Sequence, residues 1–416
     1  MGQAVEGGRF RRTFSSLRHR NFRLLWTGTI VSNSGDWMDQ IALNWLVLEL
    51  THSPLSLGLV NLCRAIPVLI FTLVGGVAAD KFERRRILMV TQGSAMLLAF
   101  LLGGLVTTGH VALWHIYVIA ALRGAIMSFN MPARQSMISE LVPRENLTNA
   151  VALNTATIHL TRVLGPSVGG VLIVLVGLDW LFYLNGLSFL AILYTLRLLP
   201  DVGRLNKKPT GAFSEMADGF RYIRGHDMIF FLVVLAIVPM LFGQPYLTML
   251  AVFAHSVLEI GPAGLGLLTS VASVGAVCGA LVVAGRRTGP RIALMIGGII
   301  VFGLSLMLFS FSRYMPLVLA SLFIAGAANV FYNSTNNGLI QSLVEDSYRG
   351  RVLSMLQLNR GLVPLGTAIT GFFAEQFGAP EALAGMSAML IVLGGVAFVM
   401  RPKTRVTAEG EEVPVR

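Results

Sequence analysis

Two aspartates three residues apart, Asp36 and Asp39, interrupt an otherwise apolar run at about 22–49. On a helix, residues at this spacing share one face. Carboxylates in an apolar segment cost energy, so such residues are functional candidates, above all for taking up and releasing protons. Arg123, in another apolar run, is the expected countercharge. The pattern predicts a proton-coupling charge pair of Asp36, Asp39 and Arg123; a static buried salt bridge is the alternative.

A second set of side chains is polar but uncharged and lies mostly in the second half of the chain. Such groups suit a cavity that orients a large, partly apolar ligand. They can also simply hold helices together through hydrogen bonds. The predicted cavity residues are Asn33, Gln244, Tyr246, Asn329, Tyr332, Asn333 and Asn336.

The composition indicates which elements must position these residues. Of 416 residues, 54% are hydrophobic and only 13% are charged, far fewer charges than soluble proteins carry. One membrane-spanning helix takes about 20 apolar residues, so the chain has room for about twelve. Apolar segments fall at about 22–49, 55–79, 87–107, 111–133, 147–176, 179–199, 228–256, 262–285, 292–311, 315–341, 351–376 and 381–400. The sequence predicts an all-α, multi-pass membrane protein embedded in a lipid bilayer.

The positive charges identify the cytoplasmic side. The net charge of +11 would suggest nucleic acid for a soluble chain, but 27 of the 32 Lys and Arg fall in alternate loops, at the helix ends beside those loops, and in the two termini. Arg313 alone lies on the opposite side, and four arginines lie inside the apolar segments, away from their ends. Basic residues concentrate in cytoplasmic loops, so both termini are predicted to be cytoplasmic and no nucleic-acid partner is expected.

The two halves of the chain resemble each other weakly. The stretch FNMPARQSMISELV from Phe129 is echoed by FYNSTNNGLIQSLV from Phe331, which indicates an internal repeat of the kind transporters contain. The predicted organisation is a cytoplasmic arm at 1–21, a six-helix bundle at 22–199, a linker at 200–227, a second six-helix bundle at 228–400 and a cytoplasmic tail at 401–416, which looks disordered.

The loop after the second apolar segment reads GGVAADKFERRR from Gly75. It resembles the major facilitator superfamily signature G-x-L-A-D-R-x-G-R-[RK], with Gly76, Asp80, Arg84 and Arg85 in register. The glycine is expected to let helix 2 approach a neighbour. The resemblance implies two pseudo-symmetric six-helix bundles, and a conformational latch in which Asp80 meets the start of helix 11. There the matching residues are Gly350 and Arg351. A simple topology signal is the alternative.

The fifth segment contains a second motif, RVLGPSVGG from Arg162. It is similar to the G-P-x-x-G-G core of the superfamily's antiporter motif, which is typical of exporters. A proline in mid-helix bends the axis and neighbouring glycines permit tight packing, so an ordinary packing kink is the other interpretation. The residues concerned are Arg162, Gly165, Pro166, Gly169 and Gly170.

Two further stretches, SNSGDWM from Ser32 and PARQS from Pro132, resemble the subgroup of enterobactin exporters and macrolide efflux proteins. This resemblance implies a monomeric exporter of drugs or siderophores in the cytoplasmic (inner) membrane of a bacterium. An importer or a lysolipid transporter on the same fold is the alternative.

Energy for such transport must come from a gradient, because no G-x-x-x-x-G-K-[ST] motif for ATP occurs. The expected function is proton-coupled secondary transport of a small amphipathic molecule by alternating access. No enzyme activity, cofactor or metal is expected. The sequence contains no recognised catalytic motif. Cys63 and Cys278 both lie in apolar runs and lack the spacing to other Cys or His residues that metal sites require.

Overall fold

The computed structural model describes residues 15–200, 212–285, 291–359, 361–402, 404–406 and 412–414. Almost all of this part of the chain is helical, as predicted. A short 3-10 turn at Ser15–Arg18 leads into six long helices: α1 Arg20–Thr51, α2 Pro54–Lys81, α3 Arg84–Thr107, α4 Leu113–Glu140, α5 Arg144–Val176 and α6 Leu178–Leu198.

The second half begins with a short helix, α7 Ala212–Arg224, and continues with α8 Asp227–Val238 and α9 Tyr246–Val252. Two π-helical segments, Pro239–Gly243 and Phe253–Val257, follow α8 and α9 respectively. The remaining helices are α10 Gly261–Gly285, α11 Arg291–Phe311, α12 Met315–Leu343, α13 Asp346–Asn359, α14 Leu362–Phe377 and α15 Ala379–Met400.

Ten helical segments in the described part of the chain are long and apolar enough to cross a membrane. Many large side chains on their surfaces are exposed and apolar, for example Leu175 at 71% and Val399 at 84%. A surface of this kind suits lipid rather than water. Two of the twelve predicted spans are not among the ten: α1, and the eleventh, which consists of α13 and α14. Twelve spans therefore remain a prediction.

Three predicted elements differ from the structure. The described part of the eleventh segment contains two helices, α13 to Asn359 and α14 from Leu362, with a turn at Gly361. The seventh contains π-helical turns rather than one regular helix. The tail contains two paired strands, β1 Thr404–Val406 and β2 Glu412–Pro414, so the expectation of a wholly disordered tail is wrong.

The chain forms two compact units. Unit 1 comprises Met1–Leu46 and Cys63–Pro209, and unit 2 comprises Val47–Leu62 and Thr210–Arg416. The core of unit 1 is apolar and includes Phe22, Leu88, Met137 and Phe189, each almost fully buried. The predicted domain limits remain a prediction.

Unit 2 includes the end of α1 and the start of α2. Ser53 Oγ donates a hydrogen bond to Glu375 Oε2 at 2.8 Å, and the Leu55 backbone N–H donates to the same oxygen at 3.4 Å. A carboxylate at a helix N-terminus satisfies free N–H groups and complements the helix dipole. The end of α14 therefore holds the start of α2.

Candidate functional site

The predicted charge pair exists in unit 1, but only one aspartate takes part in it. Arg123 of α4 donates through Nη2 to Asp39 Oδ1 of α1 at 2.9 Å, and its Nη1 contacts Asp39 Oδ2. Asp39 is only 4% exposed. A two-pronged contact of this kind is the strongest form of a salt bridge, so Asp39 and Arg123 join α1 to α4.

Asp36, one turn earlier on α1, has different surroundings. Its side chain is exposed although it lies in the middle of a 32-residue helix. It forms no hydrogen bond or ion pair with any residue that the structure describes, yet its charge interacts with Asp39, Arg123, Arg134 and Arg64. An exposed carboxylate beside buried charges can exchange protons and ligands more easily than a paired one.

Two more arginines complete a charged cluster, which we define as Asp36, Asp39, Arg64, Arg123 and Arg134. Arg64 of α2 donates through Nη1 to Gln40 Oε1 at 2.8 Å and contacts Met127 Sδ at 3.7 Å. Arg134 of α4 donates to Asn33 Oδ1 at 3.2 Å. Both arginines therefore bind neutral acceptors, and the cluster carries one more positive than negative charge.

The predicted helix 5 motif packs α5 against the helix that carries Asp36. A Cβ at Gly165 would lie 2.5 Å from Trp37 Cβ, and one at Gly169 would lie 3.1 Å from Met38 Cα. Pro166 and Gly170 are buried within the same stretch. A Cβ at Gly165 would overlap Trp37, and one at Gly169 would make a tight contact with Met38, so both glycines favour the close packing of α5 against α1.

Arg162 adds a polar contact to this interface. Its guanidinium lies 5.7 Å from the centre of the Trp37 ring, within the range of a cation–π interaction. Two residues of the motif, Arg162 and Gly165, therefore contact Trp37, which follows Asp36 in the sequence.

The loop between α2 and α3 is held mainly by its arginines. Arg84 pairs with Glu140 at the end of α4. Arg85 donates through Nη2 to the Arg197 carbonyl at 3.1 Å, near the end of α6. Asp80 is exposed, and its charge interacts with Arg84.

One expectation about this loop is wrong in detail. A Cβ at Gly76 would meet nothing within 4 Å, whereas one at Gly75 would overlap the Ser128 carbonyl oxygen. The close approach of α2 to α4 therefore depends on Gly75. The other predicted latch residues lie on α13 in unit 2, where Gly350 has open space around it and Arg351 lies 5.3 Å from the centre of the Tyr348 ring.

The predicted cavity residues divide into several environments. Asn33 accepts the bond from Arg134 in unit 1. In unit 2, Gln244 Nε2 donates to Asn329 Oδ1 at 3.2 Å, and Tyr246 is 3% exposed with its ring edge-on to Phe302. These pairs hold helices together, which is the alternative that the sequence left open.

Asn333 and Asn336 line a small pocket of ≈ 30 Å³ in unit 2 that opens to solvent. Its lining comprises Ala236, Met240, Asn333, Asn336, Asn337, Leu353, Leu356 and Asn359, and we name it the asparagine pocket. Tyr332, one turn before Asn336, is 1% exposed, and its hydroxyl has no hydrogen-bond partner in the described part of the chain.

Sequence reasoning missed Gln40 and Asn359. Gln40 lies four residues after Asp36 and, besides binding Arg64, donates to Asn44 Oδ1 at 3.2 Å. Its helical spacing from Asp36 was a usable signal. Asn359 gave no such signal. It lies at the end of α13, and only the packing of that helix brings it to the asparagine pocket.

Comparisons with known proteins match this architecture over nearly the whole chain. Residues 11–414 match the family described as "Transmembrane secretion effector". The chain is 26% identical to the staphyloferrin A transporter of Staphylococcus aureus, covering 90% of this chain and 95% of that protein. It is 28% identical to the multidrug efflux pump Tap of Mycobacterium tuberculosis, covering 90% and 92%. For macrolide efflux protein A of Streptococcus pyogenes the identity is 22%, covering 86% and 90%.

Solved structures support the fold. A bacterial homolog to the human lysosomal transporter Spinster, inward-facing and unoccupied, superposes with a TM-score of 0.76 at 14% identity, covering 91% of this chain and 96% of that one. A bacterial homologue of the iron transporter ferroportin gives a TM-score of 0.69 at 18% identity, covering 91% and 98%. The match over 11–414, with these relatives and this fold, shows that the chain is a multi-pass membrane transporter belonging to the transmembrane secretion effector family of the major facilitator superfamily.

Proposed function

We propose that this protein exports a small amphipathic molecule from the bacterial cytoplasm in exchange for protons, by alternating access. The observation that carries the proposal is the exposed, unpaired carboxylate of Asp36 beside the buried Asp39–Arg123 pair. The protein lies in the cytoplasmic membrane with both termini inside, and it acts as a monomer without a cofactor.

Exchange requires that the proton and the cargo bind in turn rather than together. A deprotonated Asp36 attracts a cationic or hydrogen-bond-donating group of the cargo, whereas a protonated Asp36 does not. Proton uptake from outside therefore releases cargo, and proton loss to the cytoplasm restores the binding form. Asp39 cannot take this part easily, because Arg123 already neutralises it in a buried contact.

The helix motifs provide means for the conformational change. Gly165 and Gly169 bring α5 against α1 next to Asp36, so a change of charge there acts on a tight helix contact. We also propose that Gly76, Asp80, Arg84 and Arg85 form a conformational latch with Gly350 and Arg351. The exposed Asp80 carboxylate at the end of α2 supports this proposal.

The names of the relatives suggest cargo for a test. Two of those proteins are named for efflux of drugs or macrolides and one for a siderophore. A radiolabelled macrolide and radiolabelled staphyloferrin A are therefore the first probes. Inside-out membrane vesicles with an acidic lumen should accumulate at least one of them, and collapse of the pH gradient should abolish that accumulation.

The decisive variant is Asp36→Asn, which keeps the shape of the side chain and removes its charge change. We expect gradient-driven accumulation to fall at least about tenfold, the size of a 1.4 kcal/mol effect. Asp179→Asn is the matched control, because Asp179 accepts a bond from Thr107 at the start of α6 and lies outside the charged cluster. Normal gradient-driven accumulation by Asp36→Asn would show that the proton-exchange proposal is wrong.

A further inference from the structure

The side chain of Asn336 is a buried polar group without a partner. It is 2% exposed, and its Oδ1 has no hydrogen-bond partner among the described residues. Buried polar atoms in native proteins are almost always paired, so each exception needs an explanation. Asn336 also lines the asparagine pocket. The amide that carries the unpaired acceptor therefore forms part of the pocket wall.

The neighbouring asparagines are already fixed by the protein. Asn337 Nδ2 donates to the Asn333 carbonyl and to Asn333 Oδ1, both at 2.9 Å. Asn359 Nδ2 donates to the Val233 carbonyl at 3.5 Å. These contacts orient the amides around Asn336, so the pocket presents preformed hydrogen-bonding groups rather than mobile ones.

The pocket also lies where two membrane helices lose their regular geometry. Met240 belongs to the π-helical segment Pro239–Gly243, and Asn359 lies at the end of α13, two residues before the turn at Gly361 that precedes α14. π-helical turns occur frequently at functional sites. In transporters, binding sites are commonly formed by interrupted helices. Two such irregularities at one pocket indicate a binding role.

The lining determines what can bind. Four asparagines supply donors and acceptors, and Ala236, Met240, Leu353 and Leu356 supply apolar walls. Among the described residues, no charged side chain lines the pocket. An ion would find no counter-charge in this lining, and burying an unpaired charge is costly. We propose that the asparagine pocket binds an uncharged group that carries a hydrogen-bond donor and an acceptor, such as a hydroxyl or carboxamide, through the amide of Asn336.

This assignment rests on the proposed function, since it names the part of the cargo that unit 2 recognises. Its test nevertheless needs neither a pH gradient nor the complete cargo. The purified full-length protein in lipid nanodiscs is heated with methyl β-glucoside or acetamide as uncharged probes. Potassium acetate, tetramethylammonium chloride and sodium chloride are the charged probes, with potassium chloride as the reference salt.

The test variant is Asn336→Leu, which replaces an unpaired amide by an apolar side chain of similar size. Without any probe we expect its melting temperature to exceed that of the wild type by about 1–3 °C, because an unsatisfied acceptor disappears. Both uncharged probes should raise the melting temperature of the wild type more than that of the variant. Asn61→Leu is the control, since Asn61 donates only to the Leu57 carbonyl of its own helix.

Comparison with the control removes the general stabilisation that sugars give to any protein. The Asn61→Leu variant should respond to the probes as the wild type does. A lower melting temperature for Asn336→Leu without probes would show that Asn336 is structural and overturn the proposal. So would equal probe responses in wild type and Asn336→Leu, or a response of the wild type to a charged probe alone. Each result is independent of whether Asp36 couples transport to protons.

Discussion

At the scale of single residues, the two aspartates of α1 show how strongly surroundings differ within one turn. Asp39 is buried and held by both nitrogens of the Arg123 fork, whereas Asp36 is exposed and unpaired in the described chain. Sequence spacing placed both on one helical face but gave no means of distinguishing them. That distinction depends on which side chain Arg123 reaches from α4, and only the packing of α1 against α4 decides it.

The Asp39–Arg123 pair should behave as a structural unit. Arg123→Met leaves a buried, uncompensated carboxylate and should reduce the free energy of unfolding by about 3–5 kcal/mol. The double variant Asp39→Leu/Arg123→Met should recover most of that loss, because neither charge then remains. Thermal unfolding of both purified variants in the same detergent checks this. A double variant as unstable as Arg123→Met would contradict the idea that the two residues act as one unit.

At the scale of elements, glycines determine how closely the helices approach. The α2–α4 contact at Gly75 leaves no room for a methyl group beside the Ser128 carbonyl, while the adjacent Gly76 faces open space. The superfamily signature aligns with Gly76, so the motif match alone identifies the wrong glycine as the one that permits the close α2–α4 contact. A contact with a partner some fifty residues away in the chain cannot be read from the motif.

Two adjacent substitutions test this difference. Gly75→Ala should destabilise the protein by about 1–3 kcal/mol through overpacking. Gly76→Ala should be neutral or stabilising by up to about 1 kcal/mol, because alanine favours helix over glycine. Melting temperatures of the two variants give the answer, with each serving as the other's control. A larger loss at Gly76 would mean that its role lies in another conformation of the transporter.

The end of a helix could be predicted from hydropathy only where the sequence becomes polar at the residue at which the helix ends. The predicted fourth segment stopped at 133, but α4 continues to Glu140 and passes through Pro132. The extension is polar on the side of Arg134, which binds Asn33, and apolar at Met137, which is fully buried. Hydropathy therefore placed the end of the helix too early. Polar side chains that contact another helix lower the hydropathy of a segment in the same way as loop residues do.

At the scale of the whole molecule, composition alone identified a helical membrane protein, and the loop motifs identified its superfamily. The reason is that lipid admits few backbone structures, so apolar runs of sufficient length leave little choice. The asparagine pocket was harder to predict from the sequence. Asn333 and Asn336 were recognised as polar residues in a span, but their neighbour Asn359 and the π-helical turn at Met240 come from the packing of distant segments.

The orientation in the membrane has its own test. In a background of Cys63→Ala and Cys278→Ala, a membrane-impermeant maleimide should label Tyr314→Cys in spheroplasts without permeabilisation, because Tyr314 adjoins Arg313 on the predicted outer face and is 70% exposed. Arg86→Cys, whose arginine side chain is 80% exposed, should be labelled only after permeabilisation. The reverse pattern would place the termini outside and contradict the orientation inferred from the basic residues.

The π-helical turn Pro239–Gly243 also affects how the two halves of the chain can be compared. Its closing bond, from the Gln244 N–H to the Pro239 carbonyl at 2.8 Å, spans five residues instead of four. One additional residue turns everything after it by about 100° around the helix axis. Gln244, which donates to Asn329 Oδ1, is the first residue after this turn. An alignment of the first helix of each half, without a gap at this turn, would equate side chains that point in different directions.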